Sequence, residues 1–100
     1  MTHTTTTVVG ENTGTLRTVV VDVDVTALNA ADSEPLSLAD ALGFRQIANV
    51  SVGAVETAET HAVAVTGGYD LAVHTLSGDD PGAGTDIGTV RLTVVGDPGV

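Results

Sequence analysis

Apolar and polar residues alternate along three stretches of this 100-residue chain, and the alternation predicts β-strands. In residues 16–26, Val19, Val21, Val23 and Val25 fall on one face. Thr18, Asp22, Asp24 and Thr26 fall on the other, with Val20 interrupting them. In residues 47–55, Ala48, Val50, Val52 and Ala54 form one face. Asn49, Ser51 and Gly53 form most of the other, with Ile47 and Val55 at its ends. In residues 89–95, Val90, Leu92 and Val94 point inward while Thr89, Arg91 and Thr93 point outward. A sheet with one face on a core and one in water requires this pattern, and antiparallel sheets supply it.

Turn and cap signals fill in the rest. Residues 61–76 read as a hairpin centred on Gly67-Gly68, because both glycines can take positive φ in a two-residue turn. That register pairs Thr66 with Tyr69, Ala64 with Leu71, Ala62 with Val73 and His61 with His74. Residues 35–43 read as a one- to two-turn helix. Ser37 is placed to cap it with Asp40 three residues on, Gly43 suits the left-handed position after the last turn, and Leu38 and Leu42 share a face. Residues 77–86 are a Gly- and Asp-rich loop. The expected fold is all-β, a small antiparallel sandwich with one short helix, with a partly open barrel as the alternative. The expected organisation is a flexible N-terminal arm or edge segment over 1–14, a sandwich domain over 15–96 and a tail over 97–100.

Composition changes what such a domain is good for. Only Phe44 and Tyr69 are aromatic, and Val and Ala supply most of the hydrophobic 42%. Such a core removes less apolar area from water per residue than one of Leu and Phe. Small domains short of core often oligomerise, so assembly with other copies is expected. Cysteine is absent, which excludes disulfides and thiolate metal sites. The start, Met1-Thr2-His3-Thr4, lacks the basic and apolar regions of a signal peptide, so synthesis in the cytoplasm is expected. Thirteen acids face three Arg and no Lys, a formal charge of −10. Arg17, Arg45 and Arg91 are too few to replace phosphate counterions, so neither nucleic acid nor an anionic membrane is an expected partner. At low salt the like charges repel and oppose compaction. In about 1 M salt the Debye length is about 3 Å and the repulsion is screened. An acidic, Lys-free chain with a small-residue core resembles proteins of extreme halophiles, haloarchaea and their viruses in particular.

Candidate chemistry is sparse. His61 and His74, opposed in the Gly-Gly register with Cβ atoms about 5 Å apart, could share a divalent metal, although a zinc site normally takes three or more protein ligands. Asp79, Asp80 and Asp86 crowd one loop that could hold a structural cation, without the spacing of an EF-hand. Asp22 and Asp24 form a D-x-D that reads as a solvated strand face. No Ser lies in a nucleophile elbow, and no aromatic cluster offers a stacking platform. No catalytic residue and no cofactor are expected beyond that possible cation.

The order of pieces carries a resemblance. A Thr-rich arm is followed by Val19-Val20-Val21-Asp22-Val23 and then by Glu34-Pro35-Leu36-Ser37-Leu38-Ala39-Asp40-Ala41-Leu42-Gly43-Phe44. A Gly-Gly hairpin and a closing segment from Asp86 to Gly96 complete it. Over roughly residues 16–96 this resembles the small β-rich head proteins encoded beside the major capsid protein in haloarchaeal tailed viruses and related phages. The resemblance implies a non-enzymatic role on the virion surface as a decoration, cement or turret protein. It also implies a symmetric trimer or pentamer seated on the major capsid protein. It assigns no binding residue to a position here. The alternatives are a binding or adhesion module of a halophilic cell surface and a small metal-binding protein.

Overall fold

The computed structural model describes residues 2–99. Seven strands and one helix follow in order: β1 (His3–Thr13), β2 (Leu16–Val25), β3 (Ser33–Glu34), α1 (Leu38–Leu42), β4 (Gln46–Val55), β5 (His61–Val65), β6 (Leu71–Thr75) and β7 (Gly88–Asp97). They form two antiparallel sheets, β1-β2-β7-β4 and β3-β6-β5, which do not close into a barrel. The expected sandwich with one short helix is what the chain adopts, in a body 41 × 21 × 21 Å.

The alternation in β2 and β7 is what holds the sheets together. Val21, Val23 and Val25 of β2 and Val90, Leu92 and Val94 of β7 are fully buried, facing Leu71 and Val73 of β6. Each such side chain contributes about 1.5–3 kcal/mol by leaving water. Leu28, Leu36, Leu38, Phe44 and Ile87 close the ends of one continuous core. Gly96 on β7 is buried because the Phe44 ring lies over it: a Cβ there would meet the ring at 2.6 Å.

Four expectations need correction. Residues His3–Thr13 form an edge strand, the second of the two readings of 1–14, rather than a flexible arm. β1 pairs with β2 from His3↔Val25 to Thr13↔Leu16, with one bulge at Val8. Gly14, φ 63, stands first in the two-residue turn between them, where glycine fits a type II′ hairpin. The Thr-rich composition read as an arm is strand-forming, since Thr is β-branched. The closing strand likewise runs on to Asp97. Met1 and Val100, the outer ends of the expected arm and tail, lie outside the described residues.

The second correction concerns β4. Its register against β7 shifts between Ile47 and Asn49 and again between Val52 and Val55. Each bulge adds a residue and switches which side chains face inward. Ile47, Val50, Val52 and Val55 therefore pack on the core, while Ala48 and Ala54 are exposed. The bulges bury two larger side chains in place of two alanines, which removes more apolar area from water.

The third is the helix start. Ser37 sits in the left-handed region, φ 50, and makes no capping bond. Burial of Leu36 and Leu38 on either side, with the Leu36 N–H donating to the Asp70 carboxylate at 3.0 Å, sets how the chain enters α1. Gly43 ends the helix as expected, φ 71, its N–H donating to the Ala39 carbonyl.

The fourth is the 61–76 hairpin, which slips by one residue. Neither Gly67 nor Gly68 takes positive φ; Tyr69 does, at φ 63. Tyr69 N–H donates to Thr66 O at 2.9 Å, and Thr66 N–H to Asp70 O at 2.8 Å. This is a three-residue loop over 67–69, whose last residue occupies the left-handed bulge position. The pairs become Val65↔Leu71, Val63↔Val73, Ala62↔His74 and His61↔Thr75. Because side chains alternate, a one-residue slip reverses which of them share a face. Here it turns Leu71 and Val73 to the core.

Candidate functional site

The slip decides the fate of the histidine pair. His61 and His74 lie on opposite faces of the β5-β6 ribbon and cannot share a metal. His61 shares the core-side face at the ribbon's end. Its Nδ1 is 3.0 Å from the hydroxyls of both Thr57 and Thr60. His74 is on the outer face, and there it meets two carboxylates from elsewhere in the chain.

One ligand atom from each of Asp32, His74 and Asp80 lies within 4.8 Å of the others, and His74 Nε2 is 3.9 Å from Asp32 Oδ2. Backbone bonds on either side of His74 produce this convergence. Val73 N–H donates to the Asp32 carbonyl and Thr75 N–H to the Asp79 carbonyl, each at 2.8 Å. The Gly-rich loop is tied to the segment before β3 by Gly82 N–H to Ala31 O at 2.8 Å, Gly84 N–H to Leu28 O at 2.7 Å and Leu28 N–H to Thr85 O at 2.8 Å. The loop therefore runs beside residues 28–32 as an ordered rim.

The other candidate acids serve the fold. Asp79 turns to the Ser77 hydroxyl at 3.2 Å, and Asp86 Oδ1 accepts the Gly88 N–H at 2.9 Å in a local turn. The structure does not bring Asp79 and Asp86 into the cluster with Asp80. Asp22 accepts two bonds from Arg91, 2.8 and 3.0 Å, across the β2-β7 pair. That bidentate pairing holds the Asp22 carboxyl below the usual carboxylate range, partly offset by desolvation. Asp97 is also lowered, first by the Gly99 N–H and then by the Arg45 guanidinium. Asp24 stays exposed.

Two features had no signal in the local sequence. Asp32 belongs to a polar turn 42 residues before His74, and only the topology joins them. Glu34 is fully buried. Its Oε2 meets Thr2 Oγ1 and His3 Nδ1, and its Oε1 accepts the Asn29 N–H at 2.7 Å. With Thr26 and Ala27 N–H donating to the Thr2 carbonyl at 3.1 and 3.2 Å, this clasp fastens the start of β1 to the second sheet.

The four-stranded sheet has a further property along its borders. Its outer strands are β1 and β4. β1 carries no charged residue from Thr4 to Gly10, and β4 carries none from Gln46 to Val55. The inner strands carry Arg17, Asp22, Asp24, Arg91 and Asp97, and β1 carries Glu11 beyond its uncharged run. Val8 and Val9 on the β1 border are 47% and 58% exposed.

No protein-family model matches this chain, and no curated protein or solved structure matches it. The functional reading therefore rests on the geometry. Among the described residues, that geometry offers one three-residue imidazole–carboxylate cluster and an uncharged run on each sheet border. Among the described residues no helix is long and apolar enough to cross a membrane.

Proposed function

We propose that this protein is a non-enzymatic structural module that joins copies of itself edge to edge. Its setting is the one its resemblance implies, the capsid surface of a halophilic tailed virus, seated on the major capsid protein. The observation that carries the reading is the absence of charge over Thr4–Gly10 of β1 and Gln46–Val55 of β4, the borders of the four-stranded sheet, in a chain of net charge −10. Edge strands that stay unpaired are normally guarded by Lys, inward charges or Pro. Neither border has these over the stretches named, and bulges alone interrupt them. The runs His3–Thr7 and Asn49–Val52 lie clear of the bulges and suit strand pairing. β1 of one copy laid on β4 of the next is a heterologous contact, which closes into a ring such as a trimer or pentamer when the rotation between copies allows and otherwise runs on as a filament. Like charge elsewhere on the surface then excludes other contacts and fixes the register.

The test is light scattering on a sizing column in about 1 M KCl, where charges are screened beyond about 3 Å. The parent chain is expected to run as a closed oligomer and to bind assembled heads. Thr5→Pro should reduce it to monomers. The Thr2 carbonyl faces β2, so strand alternation turns the Thr5 N–H outward and proline removes no bond within the sheet. Ser51→Lys should do the same from the β4 border. A parent that stays monomeric, or variants that assemble as the parent does, would overturn the reading.

A further inference from the structure

We propose that Asp32, His74 and Asp80 form a binding site for one divalent first-row transition-metal ion, with Zn2+ as the species to test. The site lies on the second sheet and shares no residue with either border of the first, so it is testable apart from the assembly reading. The donor set is mixed. An imidazole selects for zinc-like ions over Mg2+ and Ca2+, and two carboxylates supply the charge. Three segments of chain supply the ligands: the turn before β3, the β6 strand and the loop after it.

The geometry is close to what coordination needs. Bonds of about 2.0–2.2 Å place neighbouring ligand atoms about 3–4 Å apart. His74 Nε2 and Asp32 Oδ2 are already 3.9 Å apart, and all three atoms fall within 4.8 Å. His74 and Asp32 are about half exposed and Asp80 is exposed, so small side-chain rotations close the remaining gap while water completes the shell. The backbone stays fixed meanwhile by the bonds from Val73 and Thr75.

Local charge favours the ion as well. Two carboxylates approach one another here, and no arginine lies between them. Arg91 is engaged by Asp22, Arg45 by Asp97, and Arg17 donates to Asn12, all on the first sheet or its approach. Among the described residues the cationic neighbour is His74, and only when protonated. A bound ion would offset the repulsion and pin residues 76–86 to β6.

Isothermal titration of the full chain with Zn2+ should show one saturable site. His74→Ala should weaken it by at least about tenfold, the smallest loss typical of removing even an outer-shell partner. Asp32→Asn should weaken it too, and His61→Ala should leave it unchanged. Hydrogen exchange read in parallel should show Zn2+ slowing amides in residues 76–86 of the parent and not of His74→Ala. That comparison also verifies that each variant is folded. No saturable binding up to about 1 mM would overturn the proposal. Binding undiminished in His74→Ala, or equal binding of Mg2+ and Zn2+, would do so as well.

Discussion

Replacing His3 by alanine tests the clasp at the start of β1. In the parent, Glu34 is completely buried and its carboxyl is met by Thr2, by His3 and by the Asn29 N–H. His3→Ala leaves Oε2 with Thr2 alone. Losing one partner of a buried polar group costs about 1–3 kcal/mol. Domains of this size have total stabilities of about 5–15 kcal/mol, so the loss is a sizeable fraction. At about 4–8 °C per kcal/mol, the midpoint should fall by about 4–24 °C. The assays are a thermal melt for that midpoint and urea unfolding at fixed KCl for the free energy, both followed by circular dichroism. Urea is preferred because guanidinium chloride would itself screen the surface charge. Thr4→Ala, an exposed neighbour on the same strand, is the control and should stay within about 0.5 kcal/mol of the parent. If His3→Ala is as stable as that control, the clasp contributes nothing and the reasoning fails.

Three further outcomes are expected. Gly96→Ala should destabilise by about 1–3 kcal/mol, the usual cost of overpacking, because its Cβ would press on the Phe44 ring and on the Gln46 carbonyl 2.8 Å away. Thermal melts measure it. Asp22→Asn should be less stable than the parent at neutral pH, and the gap should close in acid. The Asp22 carboxyl is lowered in the folded chain, so its contribution is fully present above its unfolded value of about 3.9 and is lost as pH falls through the folded value. Paired urea titrations from pH 7 to about pH 2 would show it, and a constant gap would contradict it. Finally, the fold should loosen as KCl drops below about 1 M, where screening of the like charges weakens. Circular dichroism across a salt series reads this, and full structure in dilute buffer would remove the halophilic premise.

Regular alternation was a sound guide where strands are central. β2 and β7 are flanked on both sides, their ladder has no bulge between them, and every inward valine read from the pattern is buried. The border strands were harder. β4 carries two bulges, and nothing in Ile47-Ala48-Asn49 marks where an extra residue enters. Threonines in β1 are compatible with an arm until a partner strand is in view. Gly67-Gly68 misled because the glycines permit a two-residue turn without requiring it, and burial of Leu71 and Val73 fits the longer loop. The site suffered twice. The slip parted His61 from His74, and Asp32 and Glu34 find their partners only through contacts between sheets. Asp80 is the one loop acid that the structure places beside His74.

All three arginines belong to the four-stranded sheet or its approach, at positions 17, 45 and 91. The three-stranded side, with Asp32, Asp70, Asp79 and Asp80 at its turns, holds neither Arg nor Lys. The molecule is thus an electric dipole as well as a polyanion. Near any negatively charged partner it experiences a torque that turns the arginine-bearing side inward and the bare acidic side to the solvent. In dilute buffer this selects an orientation before contact; in about 1 M salt, where the Debye length is about 3 Å, it acts only between surfaces already touching.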